Sequence, residues 1–230
     1  ISMGHHQYYM LMASLPALPR FDQSERLPIN RERLVSRQSL LTPEDHLLVM
    51  CAGKFMGWFP ELGEGSNAEV IACYERLMGI VSRRKLWFLF ELPVNLMTIM
   101  VALRRRHRGN GVPSEGEAWG VGPLVGHIRR HWDDYDFKLG SVYPWILQIR
   151  TYLKKEMPLE LERFVLDLVW DRFSLPLPGG PFGIEALIAY LFKWSILQRW
   201  LSQDKEGARQ RFGELVAEVS NGWDQYIERI

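Results

Sequence analysis

The residues best suited to chemistry are two histidines that precede a short acidic run. His127 and His131 are four positions apart, so on a helix they would share one face. Imidazole and carboxylate groups bind zinc and related metals, and residues 133–136 supply three aspartates directly afterwards. That run lacks the glycine and the distal glutamate of a calcium loop, and Arg129 and Arg130 are typical of a solvated helix face. We predict no bound metal, with His127 and His131 as the one candidate pair of ligands.

No recognised catalytic pattern accompanies the histidines. The sequence has no GxxxxGK[ST] phosphate loop and no GxGxxG, HExxH or GxSxG motif. Such patterns supply the backbone N–H groups that hold phosphate, or the nucleophile and metal ligands of hydrolases. We therefore predict a protein that is not an enzyme and that uses no cofactor.

The cysteines and the first residues bear on location. Cys51 and Cys73 are isolated and too few for a disulfide framework or a four-cysteine zinc site, which favours a reducing compartment. Residues 1–7 have neither the basic region nor the apolar region of a secretion signal. The expected location is the cytoplasm.

A dense basic run occupies residues 104–108. Its arginines are Arg104, Arg105, Arg106 and Arg108. Cations at a helix end complement the negative end of the helix dipole, which is the simplest interpretation. The run could instead contact a partner, or bind nucleic acid together with some of the nine tryptophans. Because the net charge is only +1, we predict no nucleic-acid partner and keep a helical nucleic-acid-binding protein as the alternative.

The segment before the basic run is apolar enough to require a membrane test. Residues 86–103 read LWFLFELPVNLMTIMVAL, about the length that spans a bilayer. Glu91, Pro93 and Asn95 lie at its middle, and a central carboxylate costs about 2.5–3.5 kcal/mol on insertion scales. We predict a buried core helix here, with a transmembrane helix as the alternative.

Helical signals dominate the rest of the chain, and composition supports a folded core. Hydrophobic residues make up 47% of the sequence and charged residues 24%, as in globular proteins. Capping residues, prolines and apolar spacing predict helices at 43–56, 68–81, 93–108, 144–156, 158–173, 182–202 and 204–220, the third of which closes with the basic run just before Gly109. The one predicted strand is at residues 8–15. We predict an all-α fold in a single domain over residues 1–230, with a candidate hinge in the glycine-rich segment 109–126.

Three segments carry a family resemblance. Residues 8–16, YYMLMASLP, look like the start of a small bacterial family whose genes accompany V/A-type ATP synthase operons. That family is similar to the rotor cap of these rotary machines, which is called the d-type cap in eukaryotes. Residues 181–200 resemble the rotor-cap helix with an Ala-Tyr-Leu core, here centred on Tyr190 and followed by Lys193. Residues 91–109 resemble another element of the rotor cap, an apolar helix that starts at Asn and ends in Arg and Gly.

The resemblance implies a mechanical role. The rotor cap is a funnel of repeated helical units that lies on the membrane rotor ring and holds the foot of the central stalk, without bond chemistry. The implied partners are therefore the central-stalk subunits and the rotor ring of a V/A-type ATPase. The implied location is the inner face of the cell membrane, reached through protein contacts. Tyr190, Lys193 and the arginines of residues 104–108 are the candidate partner-binding residues. A generic helical protein-interaction module is the remaining alternative.

Overall fold

The computed structural model describes residues 8–55 and 67–202, in which every element of regular secondary structure is a helix. The helices are α1 (Tyr9–Ser14), α2 (Arg31–Arg37), α3 (Pro43–Phe55), α4 (Asn67–Arg83), α5 (Trp87–His107), α6 (Val125–Arg130), α7 (Trp145–Lys154), α8 (Pro158–Arg172) and α9 (184–202). Two short 3-10 turns lie at Phe21–Gln23 and Gln38–Leu40. The described residues contain no strand, so the predicted all-α fold is confirmed. The helix predicted at 204–220 lies outside the described residues.

The predicted start of α3 is confirmed in its details. Thr42 caps the helix, because its side-chain Oγ1 accepts a hydrogen bond from the backbone N–H of Asp45 at 3.3 Å. Pro43 occupies the first turn, where its missing N–H has no partner to lose, and Glu44 favours the positive end of the helix dipole. Helix α3 then packs against α4.

The strand predicted at residues 8–15 is wrong, because α1 occupies Tyr9–Ser14. The backbone N–H of Met12 donates to the carbonyl oxygen of Tyr8 at 2.9 Å, which closes a helical turn. Leucine, methionine and alanine favour helix, and a short apolar run has too little periodicity to separate helix from strand. The chain becomes extended only at Leu15, as expected for a residue that precedes a proline.

The start predicted for α5 at Pro93 is also wrong. The helix begins at Trp87 and continues through Pro93 to His107. An interior proline costs roughly 3 kcal/mol, because it cannot donate a hydrogen bond and crowds the preceding turn. Leu89 and Phe90 in the first turn are completely buried, and each contributes about 1.5–3 kcal/mol by leaving water. Burial of these two side chains is therefore enough to hold the helix together across the proline.

The end predicted for α5 at Gly109 is confirmed. Gly109 has φ +76°, a left-handed conformation that favours glycine. Its N–H donates to the carbonyl of Arg106 at 3.0 Å, and the N–H of Asn110 donates to that of Arg105 at 3.0 Å. This pair of hydrogen bonds is a Schellman motif, which satisfies carbonyls that the helix end would leave unpaired.

Helix α5 contributes to two apolar clusters. Its first half packs with α1, α3, α4 and α9, and its second half packs with α6, α7 and the start of α8. A smaller cluster joins α8 to α9 around Phe21. Among the described helices, α5 alone is long and apolar enough to cross a membrane, with a mean hydropathy of 1.4, and 61% of that window is buried inside the protein. This burial agrees with the predicted core helix.

The connection between α5 and α6 holds the candidate hinge. Its middle is fixed to α5, because Val121 N–H donates to Thr98 Oγ1 at 3.1 Å and the Thr98 hydroxyl donates back to the Val121 carbonyl at 2.5 Å. Trp119 and Val121 are buried in the core, whereas residues 109–112 are exposed. Any hinge motion in this segment must therefore pivot outside its central contact with Thr98.

Candidate functional site

The four arginines at the end of α5 divide into two pairs. The first pair, Arg105 and Arg106, forms hydrogen bonds with other residues of the chain. Arg105 donates from Nε to the Gly111 carbonyl at 3.1 Å and from Nη2 to Glu117 Oε2 at 3.3 Å. The pKa of Glu117 is lowered by a hydrogen bond from Ser114 N–H and by Arg105. These contacts join the end of α5 to the loop that follows it.

Arg106 points towards the turn after α6. Its Nη1 donates to the Asp134 carbonyl at 2.6 Å, and its guanidinium lies 4.9 Å from the centre of the Phe137 ring. Burial lowers the pKa of Arg106, and the positive charge of Arg150 lowers it further. Arg106 is therefore a structural residue of the second apolar cluster.

Arg104 and Arg108 form the second pair, and both face solvent. Neither side chain makes a hydrogen bond or an ion pair with any described residue. They are four residues apart, so they share one face of the helix end. These two residues, which we call the basic end of α5, are the part of the run that a partner can reach.

His127 and His131 lie side by side on α6 and just after it, with ring centres 4.6 Å apart. His127 Nε2 is 2.9 Å from the Phe137 carbonyl oxygen, so this nitrogen must carry the proton that it donates. His131 Nδ1 is 3.3 Å from Asp134 Oδ2. Within the described ranges, no group of three or more His, Cys, Asp or Glu side chains is arranged to hold a metal ion.

Two of the segments that carry the family resemblance contact each other. The backbone N–H of Tyr8 donates to the Phe182 carbonyl at 2.6 Å, and the ring of Tyr9 lies 4.7 Å from the ring of Phe182. Farther along, the hydroxyl of Tyr190 donates to the carbonyl of Pro16 at 3.0 Å. We call this contact between residues 8–16 and α9, with the turn before it, the motif junction.

A buried carboxylate anchors the motif junction to α3 and α4. Asp45 is only 2% exposed, and its two oxygens accept hydrogen bonds from the Tyr8 hydroxyl and from the Arg84 guanidinium. The Tyr8 hydroxyl also accepts from the backbone N–H of Thr42 at 3.3 Å. Burial raises the pKa of Tyr8, and the hydrogen bond to Asp45 raises it further. A buried charge needs such partners, because an unpaired carboxylate in the core is costly.

Tyr190 and Lys193, the candidate residues of α9, are both partly buried. Burial raises the pKa of Tyr190 to about 12, although the nearby charge of Arg37 acts in the opposite direction. Burial lowers the pKa of Lys193, whose Nζ lies 5.7 Å from the centre of the Trp170 ring. Tyr190 therefore holds the motif junction together through its hydrogen bond to Pro16, and Lys193 lies over the Trp170 ring of α8.

A cavity beside Tyr190 contains functional candidates that the sequence did not single out. It has a volume of about 310 Å³ and is lined by residues 13–16, Pro28, Ile29, Arg33 and Arg37. The Arg37 guanidinium is partly buried, and its Nη1 has neither solvent contact nor an acceptor among the described residues. In the sequence, the signal for this site was the four-residue spacing of Arg33 and Arg37, but such spacing is common on helix surfaces. Only the fold brings α2 to the end of α1.

The motif junction and the basic end of α5 are well separated. Phe90, in the first turn of α5, packs against Phe192 of α9 with ring centres 6.1 Å apart. Arg104 follows Phe90 by fourteen residues, and a helix rises 1.5 Å per residue, so the two lie about 21 Å apart along α5. Among the described residues, cations without an acidic partner therefore lie at two distant places, Arg104 and Arg108 at the basic end of α5 and Arg37 beside the motif junction.

Comparison with known proteins adds no relative to this picture. The chain matches no protein-family model, no curated protein and no solved structure.

Proposed function

We propose that this chain is a non-catalytic helical adaptor that binds two protein partners, one at the basic end of α5 and one at the motif junction. The observation that carries the proposal is the separation of the two places along one buried helix. Because α5 is packed against other helices along both of its halves, it can transmit force between its ends. A bridging protein needs such a rigid element between its two contacts.

The surface at each place has the chemistry of a protein interface. Arg104 and Arg108 present guanidinium groups that have no partner among the described residues, and arginine is enriched at interfaces. Near the motif junction, Met10 is 82% exposed and Tyr9 is 56% exposed, although both are apolar or aromatic. Methionine and tyrosine are also enriched where proteins meet.

The resemblance of residues 8–16 and 181–200 supplies the identity of the partners. We propose that they are central-stalk subunits and the rotor ring of a V/A-type ATPase. The protein would then lie in the cytoplasm at the inner face of the cell membrane, held there by other proteins. The two segments pack on each other. This contact supports the proposal, because the residues that carry a family resemblance are expected to belong to one structural unit.

Affinity purification from the native host, followed by mass spectrometry, tests the proposal. The wild-type chain should recover stalk and ring subunits. The double variant Arg104→Ser with Arg108→Ser should recover them several-fold less, because these exposed charges contribute to binding and little to folding.

The matched control replaces Lys154 and Lys155 by Ser. Both lysines are exposed at the end of another helix, α7, so the net charge changes by the same amount. This control should recover the subunits as the wild type does. Recovery of RNA or of unrelated proteins, with no ATPase subunit, would contradict the proposed partners.

A further inference from the structure

The cavity beside the motif junction has an unusual balance of charge. Within the part of the chain that the structure describes, Arg33 and Arg37 are its only charged lining residues, and no lining residue is acidic. They are one helical turn apart on α2, so their guanidinium groups repel each other. Neither side chain has a carboxylate or carbonyl partner among the described residues. An anion that enters the cavity would be attracted by both positive charges and would reduce the repulsion between them.

Ser14 is the one other polar side chain among the lining residues, and its hydroxyl has a partner, as does the hydroxyl of Tyr190 beside the cavity. The Ser14 hydroxyl donates to the Leu11 carbonyl at 2.7 Å, and the Tyr190 hydroxyl already donates to the carbonyl of Pro16. The free donors are therefore the two guanidinium groups. Guanidinium groups bind carboxylate oxygens through short, charge-assisted hydrogen bonds, which are roughly twice as strong as neutral ones.

The remaining wall is apolar and limits what can enter with the anion. Leu15, Pro28 and Ile29 face the same cavity and would contact a hydrocarbon group. A bare inorganic anion would leave the exposed Pro28 and the half-buried Leu15 in contact with water, whereas Ile29 is already 4% exposed. An occupant with a carboxylate and a short branched hydrocarbon body would cover both parts of the wall.

We propose that this cavity binds a carboxylate that carries a short branched apolar group, with Arg37 and Arg33 on the carboxylate and Leu15, Pro28 and Ile29 around the apolar group. The carboxylate can come from a free organic acid or from the C-terminal residue of a polypeptide. The inference does not depend on the adaptor proposal, because it concerns the binding of a small ligand to the isolated chain.

Titration calorimetry on the purified full chain tests the proposal with a matched pair of probes. N-acetyl-leucine carries the carboxylate, and N-acetyl-leucinamide has nearly the same shape without the charge. The acid should bind at least about tenfold more tightly than the amide. Equal affinities, or no binding of the acid at millimolar concentration, would overturn the proposal. This comparison uses the wild-type chain, so it does not depend on whether a variant folds.

Variants then test which arginine binds the carboxylate. Arg37→Gln should weaken binding of N-acetyl-leucine by about tenfold and leave the amide unchanged. Arg33→Gln should have a smaller effect, because this side chain is more exposed. Arg26→Gln is the control, since Arg26 is exposed and outside the cavity. An Arg37→Gln variant that is folded by circular dichroism and binds the acid as the wild type does would refute the role of Arg37.

Further probes identify the source of the carboxylate. Tighter binding of a peptide that ends in a leucine carboxylate than of 4-methylpentanoate supports a polypeptide C-terminus. Equal or tighter binding of 4-methylpentanoate supports a free acid. Inorganic phosphate that displaces N-acetyl-leucine at equal concentration would overturn the assignment, because phosphate makes no use of the apolar wall.

Discussion

Removing one hydroxyl group, by Tyr8→Phe, should destabilise the protein far more than its size suggests. The Tyr8 side chain is 5% exposed, and its hydroxyl donates to the carboxylate of Asp45, which is 2% exposed. Phenylalanine keeps the ring, so no large cavity forms. One oxygen of a buried carboxylate loses its donor, however, and Thr42 N–H loses an acceptor.

The magnitude follows from the burial of these groups. Leaving a buried polar group unpaired costs about 1–3 kcal/mol, and more when the group is charged. Arg84 still pairs with the other oxygen of Asp45, which keeps the loss below that of an isolated buried charge. We expect Tyr8→Phe to lower the free energy of unfolding by about 2–3 kcal/mol. For a chain of 230 residues this corresponds to a fall in Tm of roughly 5–10 °C.

Urea denaturation of the wild type and a small set of variants measures the effect and its cause. Tyr9→Phe is the control, because Tyr9 is 56% exposed, and it should change the free energy of unfolding by less than about 0.5 kcal/mol. In an Asp45→Asn background, Tyr8→Phe should cost only about 1 kcal/mol, since the acceptor is then neutral. A Tyr8→Phe variant that is as stable as the control, or that loses the same free energy of unfolding in both backgrounds, would contradict the role of the Asp45 hydrogen bond.

Three further predictions concern other parts of the structure. The pKa of Tyr190 is about 12 in the folded protein, whereas its ordinary value is 10.0. Its contribution to the free energy of unfolding is therefore complete below pH 10 and is lost as the pH rises towards 12. Urea denaturation at pH 9 to 11.5 should therefore show a decline in the free energy of unfolding that is smaller by roughly 2 kcal/mol in Tyr190→Phe than in the wild type. Arg106→Ser should lower the free energy of unfolding by about 1–3 kcal/mol and Arg104→Ser by less than about 0.5 kcal/mol, because only the first loses internal contacts; equal losses would contradict this. Gly122→Ala should lower Tm by several degrees more than Gly116→Ala, because both have positive φ but only at position 122 would a Cβ lie 2.6 Å from a core methyl group; equal Tm values would show that the loop moves aside.

The elements that the sequence predicts well are those whose signals are local. Thr42 and Pro43 start α3, and Gly109 ends α5, because capping and left-handed glycine act within a few residues. The two wrong predictions depend on distant contacts. Within residues 8–15, Tyr9–Ser14 form a helix that packs on other helices, and Pro93 is tolerated because the preceding turn is buried.

The candidate site could be predicted in outline but not in detail. The sequence marks residues 104–108 as basic, but it does not show that Glu117 and Asp134 occupy Arg105 and Arg106. Likewise, nothing local marks Arg37. Its importance comes from the fold, which places α2 beside the end of α1 and leaves this guanidinium nitrogen without an acceptor among the described residues. Side-chain partners far apart in sequence decide which cations remain available.

Site-specific photo-crosslinking in the native host tests the central claim most directly. A photoreactive benzoylphenylalanine would replace Arg104, at the basic end of α5, or Met10, at the motif junction. Both side chains are exposed, so the substitution should not disturb the fold. The two-partner adaptor predicts that one position crosslinks to a stalk subunit and the other to a ring subunit of the V/A-type ATPase. Crosslinking of both positions to the same protein, or of neither to an ATPase subunit, would contradict it.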